Sequence, residues 1–226
     1  RGVQCTAILG CFGMSAAVTG FGEKMLRQRG TPFASVTIHP ANHAGYYPGA
    51  QQMTLKLLFD RTTGRILGAQ GIGGNGVDKR IDVLAVAIQA GMKVYDLEEM
   101  ELAYAPQFGS AKDPVNMLGF VASGMLRGDH PQITMADYLA LPESERGTLV
   151  DVRTPTEFTN GALPGAVNIP VDELRQRLGE LPQGSPVYVY CQVGMRGYLA
   201  TRILLQKGFS VHNLSGGYRS YTQFLG

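Results

Sequence analysis

Along residues 51–70, "QQMTLKLLFDRTTGRILGAQ", apolar and polar residues alternate on both sides of a short polar break. A period of two marks half-buried strands. This stretch therefore predicts an antiparallel hairpin, its turn supplied by Asp60, Thr62, Thr63 and Gly64. The period then lengthens. In "VDKRIDVLAVAIQAG" the residues Ile81, Leu84, Ala85 and Ile88 recur at helical spacing, with Gly91 as the expected C-terminal stop. "VYDLEEMELAYAP" and "SAKDPVNMLGFVASGML" predict two more helical stretches, broken at "YAPQFGS". Residues 1–126 thus read as an α+β domain, an antiparallel sheet with helices. "RGDHPQ", residues 127–132, is polar and aperiodic and reads as a linker.

From residue 133 onward strand and helix signals alternate. Thr134 with Asp137 resembles a helix start, and "TLVDV", "VNI", "VYVY" and "VHNL" read as strands. Asp172–Leu178 reads as a short helix stopped by Gly179, and Tyr198–Gln206 as a longer one. Such alternation predicts an α/β domain over residues 133–226, a parallel sheet flanked by helices.

Composition acts mainly by exclusion. A hydrophobic fraction of 44%, a charged fraction of 17% and a net charge of +2 are those of a soluble globular chain. No basic run favours nucleic acid, and no apolar stretch approaches the ~18 residues of a membrane span. No secretory leader is visible. Cys5, Cys11 and Cys191 are too few and odd in number for a disulfide framework, so a cytoplasmic location is expected. The opening "RGVQCTAILG" lacks Met and lies in an extended segment, as in a piece of a longer protein. His39 and His43 have no Cys or acidic partner at ligand spacing, so both are expected to be structural and no metal site is expected.

"GIGGNG", Gly71 to Gly76, matches the dinucleotide pattern G-x-G-x-x-G literally. Its context argues against a cofactor. The preceding strand is the return arm of a hairpin, whereas the fingerprint needs the first strand of a parallel βαβ unit. The glycines are expected to form a connection.

Stronger chemistry lies at "VYVYCQVGMRGYLATRILL", residues 187–205. Cys191 ends a buried strand, at the edge where parallel sheets collect their chemistry. Gln192, Val193, Gly194, Met195, Arg196 and Gly197 separate it from the expected helix start near Tyr198. Successive inward amides of so short a loop form an anion cradle, to which the helix dipole and Arg196 add positive charge. All three favour a thiolate, or equally the terminal sulfur of a persulfide. Cys5 and Cys11 lack such surroundings and are expected to be small core residues. The loop resembles that of protein tyrosine phosphatases, whose arginine falls six positions after the cysteine. Here it falls five positions on, giving a tighter cradle that suits one sulfur better than a phosphate. A phosphatase remains the alternative, as does a non-catalytic dimerisation or docking module.

With "LVDVRTPTEF", "GALPGAVNIP", "VYVYCQVGMRG" and "NLSGGY" in view, residues 133–226 resemble a rhodanese domain. That resemblance implies sulfur transfer through a persulfide on Cys191, residues 192–197 as its cradle, and support from Asp151 and Arg153. The family's common "GHIPGA" reads "GALPGA" here, with Ala162 in place of histidine. Residues 1–126 are similar to the dimerisation domain of the pyridine nucleotide-disulfide oxidoreductases, in the branch of the coenzyme A-disulfide reductases. "HPANHAGYYPGA", "LKLLFD", "GVDKRIDVLAVAIQAGMKVYDLEEMELAYAP" and "GSAKDPVNMLGF" carry that likeness. It implies a homodimer through residues 1–126, with Tyr46 and Tyr104 (Tyr47 being an alternative to Tyr46) reaching toward the partner's active site. It also implies FAD, NAD(P)H and coenzyme A for a full-length CoA-disulfide, persulfide or polysulfide reductase. The FAD- and NAD(P)H-binding halves are absent from this sequence, so no cofactor is expected on this chain alone.

Overall fold

The computed structural model describes residues 2–225, and the chain divides after Leu126 into two compact units. In the first, strands β1 (Ala7–Cys11) and β2 (Met14–Gly20) lead through a short helix α1 (Glu23–Gln28) to β3 (Ala34–Ile38). Then come β4 (Met53–Phe59), β5 (Ile66–Gly73) and helices α2 (Val77–Gln89), α3 (Val94–Glu99) and α4 (Pro114–Arg127). All neighbouring strands are antiparallel, in the order β1-β2-β5-β4-β3. Val36, Leu55, Leu57 and Phe59 of the sheet are buried with Leu84 of α2, Leu97 of α3 and Leu118 of α4 in one core.

The β4–β5 hairpin is built as its pattern indicates. Asp60 Oδ1 accepts from the backbone N–H of Thr63 at 2.7 Å and of Thr62 at 2.9 Å. These donors, Thr63 foremost, hold the Asp60 carboxyl below the usual carboxylate range. β5 absorbs the first half of the glycine run. It pairs antiparallel with both β2 and β4, and a β-carbon on Gly71 would lie 2.9 Å from both Leu55 and Val77. Gly76, at φ +76°, turns the chain into α2. Close packing and one left-handed turn account for these glycines.

Two expectations for this unit change. The helical stretch from Val94 ends at Glu99, because the Asn116 amide donates to the carbonyls of Leu97 and Met100 at 3.0 and 2.9 Å. Cys5 and Cys11 are exposed rather than core residues. Every residue of β1 is exposed, since it is an edge strand joined to β2 by a tight turn at Phe12 and Gly13, both at positive φ.

In the second unit the order is β6 (Gln132–Ile133), α5 (Met135–Ala140), β7 (Thr148–Asp151), α6 (Pro155–Thr159) and β8 (Val167–Asn168). It continues with β9 (Val187–Tyr190), α7 (Met195–Gln206), β10 (Val211–Leu214) and α8 (Gly217–Leu225). The five strands are all parallel, ordered β6-β10-β9-β7-β8. β9 is buried on both faces, as central parallel strands are. Val187 and Val189 join one core with Val150, Ala200 and Leu204, while Tyr188 and Tyr190 join the other with Met135, Leu149 and Leu214.

Residues 127–132 are not a free linker: Arg127 ends α4, His130 is buried and Gln132 opens β6. Nor is Asp172–Leu178 an α-helix. It makes successive tight turns and passes into a 3₁₀ turn at Leu178–Glu180. Leu174 alone is buried there, and so short a segment cannot offset the cost of helix nucleation. Among the described residues no helix is long and apolar enough to cross a membrane.

In the first unit a buried ion pair holds the long loop between β3 and β4. The Arg80 guanidinium donates to Asp113 at 2.8 Å, to the Asn42 carbonyl at 2.8 Å and to the Gly76 carbonyl at 3.1 Å. Removing one partner leaves a charge out of water. Asp113→Ala is therefore expected to destabilise this unit by about 3–5 kcal/mol in a urea titration; a loss below about 1 kcal/mol would show that water replaces the carboxylate without cost.

Candidate active site

The carbonyl end of β9 delivers Cys191 to the floor of the loop, with its side chain buried. The Gly194 N–H donates to Cys191 Sγ at 3.1 Å, folding the loop back over the sulfur. Gly194 adopts φ +124°, a conformation that glycine tolerates and other residues resist. Helix α7 starts at Met195, three residues earlier than its apolar spacing suggests. Met195, Arg196 and Gly197 therefore form the first helical turn, where backbone N–H groups have no carbonyl within the helix to bind. The expected six-residue loop is in fact a three-residue turn plus a helix N-terminus.

α8 braces the loop from its other side. The N–H groups of Tyr218 and Arg219 donate to the carbonyls of Cys191 and Gln192 at 2.8 and 3.0 Å. Gly217 permits this approach, since a β-carbon there would lie 2.2 Å from the Cys191 carbonyl oxygen. This is the physical content of "SGGY".

The two arginines take different places. Arg153 is buried against Asp151, with Nη2–Oδ2 at 2.6 Å, and stacks over the Tyr218 ring at 4.1 Å. It also donates to the Gly161 carbonyl at 2.7 Å and to Gln192 Oε1 at 3.2 Å, so it ties the loop to the segment after β7. Arg196 interacts with Cys191 but is held by Glu157, through two hydrogen bonds of 2.7 Å. Glu157 also caps α6, accepting from Thr154 N at 3.0 Å. Its carboxyl is held well below the usual range, at about 2, by the Arg196 guanidinium and the Thr154 donors.

Beneath the loop a second set of contacts runs inward. The Asn213 amide donates to the Gly194 carbonyl at 3.3 Å and meets His130 Nε2 at 2.9 Å. A β-carbon on Gly197 would fall 2.2 Å from Asn213 Oδ1, so this glycine makes room for the strut. Burial pushes the His130 imidazole down to about 4, leaving it neutral.

In the first unit the Tyr46 and Tyr104 hydroxyls meet at 3.2 Å, both side chains being exposed. The hydrogen bond to Tyr46 raises Tyr104 above the usual phenol value. Tyr47 turns aside, its ring edge-on to His43 at 5.7 Å. His39 Nδ1 pairs with Thr54 Oγ1 at 2.9 Å, and His43 Nδ1 lies 3.1 Å from the Ala44 carbonyl.

Residues 134–224 match the family model of the rhodanese-like domain, and residues 7–114 match that of the pyridine nucleotide-disulphide oxidoreductase dimerisation domain. The chain joins one domain of each family. It is homologous to the C-terminal region of coenzyme A disulfide reductases, being 38% identical over 122 residues to that of Staphylococcus aureus (strain bovine RF122 / ET3-1). That match covers 54% of this chain and 27% of the relative, so the chain spans about a quarter of that protein's length. Among solved structures, reduced Bacillus anthracis CoADR-RHD is similar with TM-score 0.94 and 43% identity, over 99% of this chain and 40% of that one. A NAD-dependent persulfide reductase from A. fulgidus is similar with TM-score 0.86 and 37% identity, over 97% and 39%.

In the second unit, Glu157, Asn213, His130 and Gly217 were not singled out by the sequence pattern. "TPTEF" carried a visible helix-capping signal at Glu157, but its second bond spans 39 residues. The contact between His130 and Asn213 spans 83.

Two titrations follow. An unfolded chain protonates His130 near pH 6.5, while the folded domain resists until about 4. The stability contributed by neutral His130 is thus complete above about 6.5 and declines as pH falls toward 4, by about 3 kcal/mol at most. The stability difference between the wild type and His130→Gln should shift in that sense between pH 7 and 4; a pH-independent difference would contradict it. In the dimerisation domain, Tyr46→Phe should lower the Tyr104 phenol titration toward its ordinary value in ultraviolet difference spectra. An unchanged curve would mean that the hydroxyl contact carries no energy.

Proposed function

We propose that this chain is the C-terminal portion of an FAD- and NAD(P)H-dependent CoA-disulfide, persulfide or polysulfide reductase, and that Cys191 carries sulfane sulfur within it. The observation that carries this reading is the Gly194 N–H held 3.1 Å from a cysteine sulfur at the N-terminus of α7. In such surroundings an amide and a helix dipole stabilise negative sulfur without a general base.

The Cys191 thiolate attacks the outer sulfur of a polysulfide, thiosulfate or low-molecular-weight persulfide. A new S–S bond forms as the donor's S–S bond breaks, and the donor leaves with the electron pair. The terminal sulfur of the Cys191 persulfide keeps one negative charge and rests beside the loop amides. An acceptor thiolate, such as that of coenzyme A, then takes this sulfur and restores the Cys191 thiolate. Asp151 and Arg153 fix Gln192, and with it the start of the loop.

The dimerisation domain supports a homodimer through residues 1–126. Tyr46 and Tyr104, joined at their hydroxyls and exposed, are suited to serve a partner's reductase site. On this reading FAD and NAD(P)H are held by a part of the full-length reductase that this chain does not include, and a cytoplasmic location fits sulfur chemistry that needs free thiols.

Cys191→Ala is expected to abolish thiocyanate formation from a sulfane donor and cyanide, and to remove the gain of about 32 Da that one sulfur atom adds to the chain. Persistent turnover in this variant would rule out the mechanism. A wild-type chain that gains no mass and still binds a partner would instead mark a docking domain.

A further inference from the structure

Neither Arg153 nor Arg196 brings net charge to the cysteine loop. Arg153 is neutralised by Asp151, and both are buried. Arg196 is neutralised by Glu157, whose carboxylate is fastened on both sides by Thr154 and Arg196. It stays ionised throughout the working pH range, being held at about 2. Besides these pairs, the Gly194 N–H and the N-terminus of the twelve-residue helix α7 attract an anion, and Arg219 of α8 is joined to the loop through its N–H on the Gln192 carbonyl. A helix end is equivalent to roughly half a positive charge. Such a site accommodates one negative charge more readily than two.

We infer that Glu157 is a specificity-determining residue, which makes the Cys191 loop select sulfane donors of one negative charge over dianionic ones. The inference rests on the sulfur-transfer reading above and adds the class of donor. Glu157 does so through Arg196: a free guanidinium would welcome a dianion such as thiosulfate, whereas the ion pair offers it a carboxylate as well.

Two donors isolate charge from chemistry. With thiosulfate, attack by Cys191 forms the persulfide and expels sulfite. With methanethiosulfonate, the same attack expels methanesulfinate. In both cases cyanide then removes the sulfur as thiocyanate and regenerates the thiolate, so the two reactions differ in donor charge and share the bond that breaks.

The test measures thiocyanate production by the full chain with each donor, in wild type, Glu157→Gln and Glu157→Asp. Glutamine still caps α6 but lacks the charge. Aspartate keeps the charge and is shorter. The ratio of kcat/KM for thiosulfate to that for methanethiosulfonate is expected to rise about three- to tenfold in Glu157→Gln, and to return toward the wild-type ratio in Glu157→Asp. The rise should shrink as ionic strength approaches about 1 M, where the screening length is about 3 Å. An unchanged ratio in Glu157→Gln, or equal shifts in both variants, would overturn the charge argument and leave sulfur transfer standing. If neither donor yields thiocyanate or adds mass to Cys191 in the wild type, the sulfur-transfer reading falls and this one with it.

Discussion

Arg153 lies out of water with a full charge, and a buried guanidinium must be surrounded by acceptors. Asp151 supplies the charge that makes its burial tolerable. The Gly161 carbonyl and the Gln192 side chain take the remaining donors, and Tyr218 covers its face. Four separate parts of the second unit are thereby tied together: the end of β7, the turn after α6, the cysteine loop and the start of α8. The desolvation cost is several kcal/mol, repaid only when every partner is in place. An ion pair with those demands is a weak source of net stability and a strong source of geometry.

The loop gains its shape from that frame. Its carbonyls are taken by α8 above and its Gly194 carbonyl by Asn213 below. The Gly194 N–H donates to the sulfur, and the backbone N–H groups at the start of α7 have no carbonyl within the helix to bind. On the proposed sulfur-transfer reading, the terminal atom of a persulfide is compact and singly charged, so a short turn on a rigid strand end suits it better than a phosphate, which calls for a wider ring of donors and more charge.

The first unit uses the same device at a different place. Arg80 is buried with Asp113, and its spare donors hold the loop that carries Tyr46. Ala44 N donates to the Gly109 carbonyl at 2.8 Å, linking this loop to the segment after Tyr104. Two exposed phenols thus meet on irregular backbone because a buried cation beneath them fixes both supports. Irregular segments positioned by a rigid scaffold are common carriers of function. In each unit the scaffold ends in an arginine whose hydrogen-bonding needs dictate loop position.

Local pattern determined much of this molecule. The alternation around Asp60 specified the β4–β5 hairpin, and "VYVY" specified a strand buried on both faces, because side-chain periodicity is a direct record of which faces meet water. The abrupt change from "VYVY" to glycine, arginine and an apolar helix marked Cys191 in the same way. Tertiary structure decided the rest. The segment after Pro170 has helix-forming residues but too little apolar surface to hold a helix, and Asn116 cuts α3 short from a distant part of the chain. Cys11 is apolar in type yet lies outside the core, since its edge strand has no layer packed on it, and Cys5 is exposed in the segment before that strand. Above all, the sequence showed that an arginine stands five residues after Cys191, but not that Glu157 neutralises it. Charge pairing depends on distances in space, which a hydrophobic period does not encode.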